Sequence, residues 1–170
     1  MMKKTIIIYH SKTGFSQCYA QWLAESLNCQ ALPYRARRSI KLSEYGTIIL
    51  LGGLYAGNMS GLGWLKKLPL EGKRAAAVAV GCSPMGWPDQ AKSMEKLFGG
   101  TPIQGFYCQG GLAYERMGAV NRAMMAALRT ALRGKPEMAD MLAGISQSFD
   151  GTKREYLDSV IAWAFQASDP

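Results

Sequence analysis

Ser11, Lys12, Thr13, Gly14, Phe15 and Ser16 bring three hydroxyls, one ammonium and one glycine into six consecutive residues. They lie between an apolar run, Thr5 to Tyr9, and an amphipathic stretch that begins near Gln17. A buried strand that ends in such a loop and then opens a helix is suited to hold a phosphate. The first-turn N–H groups of a helix lack intrahelical partners and its dipole favours an anion there, while short hydroxyl side chains add hydrogen bonds without blocking the approach. The chemistry predicted is recognition of a phosphorylated cofactor. The alternative is a plain helix cap, in which Ser11 or Thr13 satisfies backbone donors.

Three more loops have the composition of a ligand site: Gly52-Gly53-Leu54-Tyr55-Ala56-Gly57-Asn58-Met59, Gly81-Cys82-Ser83-Pro84-Met85-Gly86-Trp87 and Gln109-Gly110-Gly111-Leu112-Ala113-Tyr114. Glycine lets backbone approach a flat ligand, and aromatic rings can stack on it. Several such loops in register, one after each expected strand, make a cofactor site the leading reading. For Tyr55, Trp87 and Tyr114 taken singly, a structural role is an equal alternative. His10, the one histidine of the chain, is read as structural, with proton transfer as the other option.

The elements that must position these loops follow from hydrophobic patterning. Thr5 to Tyr9, Thr47 to Leu51 and Ala75 to Val80 are nearly continuous in apolar residues, as expected of parallel strands covered on both faces. Ile103 to Cys108 is a fourth strand, and Gln30 to Tyr34 is a short edge strand interrupted by Pro33. Helices are predicted over Ser16 to Leu27, Gly63 to Leu68 and Pro88 to Phe98, the last with proline in its first turn. Alternation of strand and helix predicts a doubly wound α/β domain whose ligand lies beyond the carboxyl ends of the strands. After the last strand the alternation stops: Ala119 to Arg133 reads as a helix, Gly134-Lys135-Pro136 breaks it, a short helix runs to about Leu142, and a final helix covers Thr152 to Gln166.

At 170 residues, 48% apolar and 19% charged, the chain reads as one globular domain. Ile6 to Tyr9 is too brief for a signal-peptide core and no run approaches the roughly 20 apolar residues of a membrane span, so a cytoplasmic location is expected. Cys18, Cys29, Cys82 and Cys108 form no C-x-x-C pair and cannot complete a zinc set with a single histidine. They are read as packing residues, with a redox role for Cys82 or Cys108 as the alternative. Twenty basic against twelve acidic residues give a net charge of +8, which favours anionic partners, although no nucleic-acid recognition signature appears. Arg122, Arg129 and Arg133 share one helix face, read either as an ordinary surface or as a contact for an anionic membrane.

The loops lack G-x-x-x-x-G-K-[ST] and, after the first strand, G-x-G-x-x-G. The first strand ends also lack the carboxylates of a phosphorylation receiver, so a mononucleotide remains. At this point the chain resembles the flavodoxin family: Tyr9, Ser11, Gly14 and Ala20 match its signature at the proper intervals. Ser16 stands where threonine is usual, preserving the hydroxyl, and Gln21 where an aliphatic residue is usual. Leu51-Gly52-Gly53-Leu54-Tyr55-Ala56-Gly57, Gly110-Gly111-Leu112-Ala113-Tyr114 and the basic methionine-containing helix are similar to the branch that includes menaquinone-dependent protoporphyrinogen oxidase.

The resemblance implies a flavodoxin-like, five-stranded parallel sheet of order 2-1-3-4-5 with helices on both faces, interrupted by a helical insertion at about 115–150. It implies flavin mononucleotide (FMN) as cofactor, with Ser11, Lys12, Thr13, Gly14, Phe15 and Ser16 around the phosphate. The isoalloxazine would lie among Gly53, Leu54, Tyr55, Ala56, Gly57, Asn58, Cys82, Ser83, Trp87, Gly110, Gly111 and Tyr114. The implied function is electron transfer through the flavin to or from a small substrate, a quinone or tetrapyrrole. The alternatives are a carrier serving a redox protein and a binding module without flavin, and self-association as a homodimer is left open. The basic charge is opposite to that of acidic electron-carrier flavodoxins and predicts a less negative potential.

Overall fold

The computed structural model describes residues 4–166. The elements are β1 (Lys4–His10), α1 (Phe15–Leu27), β2 (Gln30–Pro33), β3 (Tyr45–Tyr55), β4 (Asn58–Met59), α2 (Leu62–Lys66), β5 (Arg74–Gly81), α3 (Gln90–Phe98), β6 (Ile103–Gln109), β7 (Gly111–Leu112), α4 (Ala119–Leu132), α5 (Ala139–Ile145), β8 (Phe149–Asp150) and α6 (Asp158–Gln166). The five long strands are parallel and lie in the order β2-β1-β3-β5-β6. Counted in chain order without the short strands, this is the expected 2-1-3-4-5 arrangement. Pro33 sits at the end of the outermost strand, where its missing N–H breaks no central ladder.

Strand alternation divides the core in two. Ile6, Ile8, Ile48, Leu50, Ala75, Ala77 and Ala79 face α2 and α3, meeting Leu62, Leu65, Leu97 and Phe98. Ile7, Ile49, Leu51, Ala76, Val78 and Val80 face α1 and α6, meeting Tyr19, Ala20, Leu23 and Val160. Side chains buried on both faces leave this sheet no stable arrangement without helices on both sides. The alanines of β5 keep the centre of the sheet thin where α1 and α3 flank it. Tyr19, fully buried, donates its hydroxyl hydrogen bond to the Gln109 carbonyl and accepts one from the Lys153 N–H at 3.2 Å. One side chain thereby joins α1, the end of β6 and the segment leading to the last helix.

Several boundaries differ from the sequence reading; the final helix begins at Asp158 rather than Thr152, because a 3₁₀ turn over Arg154–Leu157 precedes it. The second apolar strand does not stop at Leu51: β3 runs on to Tyr55 because Ala56 and Gly57, both at positive φ (48° and 78°), turn the chain into β4, which pairs antiparallel with Leu54 and Tyr55. Positive φ at both central residues is what a tight hairpin requires. The third helix begins at Gln90 rather than Pro88, since Pro84–Gln90 closes turns of its own, with the Trp87 N–H on the Pro84 carbonyl and the Gln90 N–H on the Trp87 carbonyl.

Beyond β6 the chain leaves the sheet at β7 and returns at β8, the two pairing antiparallel as Gly111↔Asp150 and Leu112↔Phe149. The excursion between them carries α4 and α5. A small cluster of Leu112, Leu132 and Ile145 anchors it, and Leu132 is the buried residue of α4. Among the described residues no helix is long and apolar enough to cross a membrane.

The Phe98 ring occupies the space a side chain at Gly105 would need. Glycine inside a strand ordinarily costs about 0.5–1 kcal/mol relative to alanine, whereas overpacking costs about 1–3 kcal/mol, so the second effect wins. Gly105→Ala is expected to lower the free energy of urea unfolding by about 1–2 kcal/mol; a gain would mean that the ring moves aside freely.

Candidate functional site

The turn from β1 to α1 is built around Gly14, which precedes the helix at φ 101° and donates its N–H to Ser11 Oγ at 3.0 Å. A side chain would be strained in that conformation, and its Cβ would come within 2.9 Å of Arg116 Nη1. Ser11 is therefore a brace for the turn, and bracing leaves the N–H groups of the first turn of α1 without helix carbonyls to bond. Ser16 is buried at the base of this nest and Lys12 is exposed at its rim.

Beside the turn lies a cavity of about 420 Å³. Its floor is the carboxyl edge of the sheet, with Ser11, Lys12, Thr13, Phe15 and Ser16 from the first loop, Gly53 to Ala56 from the end of β3, and Val80, Gly81 and Cys82 from the end of β5. Its roof is the insertion: Met117, Asn121, Met124, Met125 and Leu128, with Met141 and Ile145 of α5. No carboxylate is among the described residues that line it.

Tyr55 joins the two parts of this site. Its ring folds back over Gly53, with Cε2 at 2.5 Å from where a Cβ would stand, so only glycine fits beneath it. Lys12 Nζ lies 5.1 Å from the ring centroid, in the range of a cation–π contact. Burial pushes the Tyr55 hydroxyl above its ordinary pKa, partly opposed by its hydrogen bond with the Thr13 side chain.

A second cavity of about 640 Å³ shares Cys82, Met141 and Ile145 with the first and opens between the β5 loop and α5. Ser83, Pro84, Trp87, Asp140 and Ser148 are among its walls. The loop that forms one side is held by the Tyr107 hydroxyl, which donates to the Ser83 carbonyl at 2.7 Å.

Eleven of the residues expected from sequence line the first cavity: Ser11, Lys12, Thr13, Phe15, Ser16, Gly53, Leu54, Tyr55, Ala56, Cys82 and Gly111. Ser83 and Trp87 line the second. Five line neither. Gly14 shapes the turn from behind, while Gly57 and Asn58 belong to the hairpin beyond the cavity. The Gly110 N–H is committed to the Gly81 carbonyl at 2.7 Å and its carbonyl accepts from the Gly151 N–H at 2.8 Å. Tyr114 donates its hydroxyl to the Ile145 carbonyl and lies under the Arg129 guanidinium, so its ring serves the insertion rather than a ligand stack.

The roof and Arg116 were not anticipated from sequence. Met117, Met124, Met125 and Met141 are the available signal, since methionine is the adaptable side chain of irregular apolar surfaces. Of the three arginines assigned to one exposed face, Arg122 donates to the Tyr114 carbonyl at 2.9 Å and Arg129 covers the Tyr114 ring. Both of these arginines tie down the head of the insertion.

His10 packs edge-on against Tyr34 at 4.8 Å and its Nδ1 is buried without a hydrogen-bond partner. Desolvation first, and then Lys12 and Arg37, lower its pKa. The residue lines neither cavity. The thiols are all pushed up by burial, Cys29 to about 11 and Cys108 to about 12. Thiolates are thereby disfavoured, which fits packing and not thiol redox chemistry.

A doubly wound parallel sheet, with an anion-suited turn after its first strand and an apolar slot beyond its carboxyl edge, defines a mononucleotide-binding type of α/β domain. The chain belongs to the flavodoxin-domain family, whose model matches residues 6–139. No curated protein matches it. Among solved structures it is similar to a protein described as a flavoprotein from Bacteroides uniformis, at 17% identity and a TM-score of 0.49 over 65% of this chain and 92% of that one. A flavoprotein in complex with FMN from Lactobacillus acidophilus NCFM gives 12%, 0.46, 64% and 93% in the same order. An NADPH-quinone reductase from P. pentosaceus gives 16%, 0.42, 78% and 99%.

The depressed pKa of His10 has a consequence for stability. The unfolded chain takes up this proton near the ordinary value of 6.5 and the folded chain only below it, so stability rises with pH up to about 6.5 and is lost as pH falls through that window. His10→Gln should flatten the pH dependence of urea unfolding below about pH 6.5; an unchanged slope would assign it to other groups.

Proposed function

We propose that this protein binds FMN, with the phosphate at the β1–α1 turn and the ring in the adjoining apolar cavity, and that it works as an oxidoreductase on a small molecule. The observation that carries the reading is the continuity of the two parts. The hydroxyl-lined nest and the apolar slot share Ser11, Lys12, Thr13, Phe15 and Ser16 as a common wall, and Tyr55 spans them. Membership of the flavodoxin-domain family supports the same reading. When bound, the flavin supplies one- or two-electron redox chemistry.

The residues of the chain do the rest. Gly53 leaves room for the Tyr55 ring and Gly111 for the Phe149 backbone and the Phe15 ring, the methionines of the roof adapt to a flat apolar surface, and Asn121 is the polar side chain on that roof. Roof and floor together exclude water from the ring. Lys12 adds positive charge at the rim, where no carboxylate of the lining opposes it, so added negative charge in the slot is stabilised. The contiguous second cavity seats the reaction partner. Its apolar walls suit a planar compound such as a quinone or tetrapyrrole, and Ser83 and Gln109 offer hydrogen bonds to its polar edge.

Titration of the flavin-free full chain with FMN should quench flavin fluorescence with one-to-one stoichiometry, and Gly53→Ala should weaken binding by about tenfold as the Tyr55 ring is driven into the slot. FMN binding unchanged in Gly53→Ala would place the ligand elsewhere. The loaded protein with a chemical reductant should turn over a soluble quinone. Ala143→Trp, which fills the second cavity only, should raise KM and leave FMN affinity unchanged. Absence of quinone turnover by the parent would favour a carrier for a protein partner.

A further inference from the structure

We propose that Arg116 is the phosphate-selecting residue of this site, delivered by the helical insertion, so that seating the phosphate and closing the roof are one event. The proposal rests on the FMN reading above. Arg116 ends a single 3₁₀ turn, Tyr114–Arg116, at the head of the insertion. From there its Nη1 reaches back across 103 residues of sequence to donate to the Thr13 carbonyl at 3.1 Å. The same atom lies 2.9 Å from the point a Cβ on Gly14 would occupy. The guanidinium therefore stands at the turn that precedes α1, on the side where Gly14 has no side chain.

Its bonding there is incomplete. A guanidinium carries five N–H donors in a fixed fork, and the Thr13 carbonyl takes one of them. Among the described residues no carboxylate forms an ion pair with it. An exposed cation held against a neutral carbonyl, beside a nest of backbone donors, completes a phosphate site in a way that lysine at the rim does not. Arginine meets two phosphate oxygens at once, while the Lys12 ammonium is a point charge drawn over the Tyr55 ring.

The neighbours of Arg116 turn this contact into a link. Met117, the next residue, lines the ring cavity. Glu115, the preceding one, accepts from Ser148 Oγ at 2.9 Å at the far end of the insertion, and Arg122 of α4 holds the carbonyls of Tyr114 and Met117. The backbone that carries Arg116 is thus bonded to the head of the roof, and α4 of that roof buries only Leu132 among its described residues.

The test compares FMN with riboflavin, which share the ring and differ in the phosphate. Fluorescence titration of the flavin-free full chain should show FMN bound more tightly by the parent. Arg116→Ala should cost FMN about 10- to 100-fold in affinity and leave riboflavin within about twofold, with Arg116→Lys recovering part of the loss. Hydrogen exchange over residues 114–148 should be slowed more by FMN than by riboflavin in the parent and equally by both in Arg116→Ala. An unchanged FMN-to-riboflavin ratio in Arg116→Ala, or equal loss of both ligands, overturns the assignment of Arg116 alone. A parent chain that binds neither flavin overturns the FMN reading and this inference with it.

Discussion

Every loop at the site leaves the same edge of the sheet because the strands are parallel, and the strands are parallel because their side chains must be buried on both faces. Ile6 to Ile8, Ile48 to Leu51 and Ala76 to Ala79 have no exposed surface at all, so helices must cross over from the end of one strand to the start of the next. Crossovers of one hand bring the loops after β1, β3, β5 and β6 to one rim. The ligand site is the geometrical residue of that packing. It needs no residue of its own to assemble it, and its side chains are free to be small, polar or aromatic.

This explains which parts of the molecule were legible in the chain. Nearly continuous apolar runs identified three of the five long strands; the fourth, with Gln104 and Gly105 inside it, has a mixed pattern, and the short edge strand is interrupted by its proline. The alternation with helices then gave sheet order and the rim. The same local logic found the hydroxyl turn and most of the floor of the cavity. It placed too much of the Gly52–Met59 segment in the site, because a strand extended by a tight hairpin has the same glycine-rich composition as a ligand loop. Tyr114 misled for a similar reason: an aromatic after a strand is equally suited to a stack and to a packed anchor, and its hydroxyl partner, Ile145, lies 31 residues away.

What stayed hidden depends on the path of the insertion. The approach of Arg116 to Thr13 joins residues 103 apart, and no spacing rule connects them. The apolar face of α4 was visible, but whether it packs on the domain or spans an open slot is decided by where β7 and β8 pin the two ends. Two residues in each strand suffice for that pin. A surface helix and a roof have the same hydrophobic pattern, and only the cavity beneath distinguishes them.

The two halves of the site consequently differ in stiffness. The floor is continuous with the buried strands: Gly53 and Gly81 are buried residues of β3 and β5, and half-buried Cys82 follows directly on β5. The roof contributes one buried residue from α4, and Val120, Met124, Leu128 and Met141 remain exposed along it. Regions with few buried apolar contacts open at low free-energy cost. Under the proposed reading, a rigid floor would position the ring, and a loosely held, methionine-lined roof would pack against it. Of the basic residues, Lys12 and Arg116 stand beside the turn, while Arg122 and Arg129 stiffen the head of the insertion from within. Under that reading, an arriving anion would meet Lys12 and Arg116 at the junction of the stiff half and the loosely held one, where one interaction would hold the ligand and the roof together.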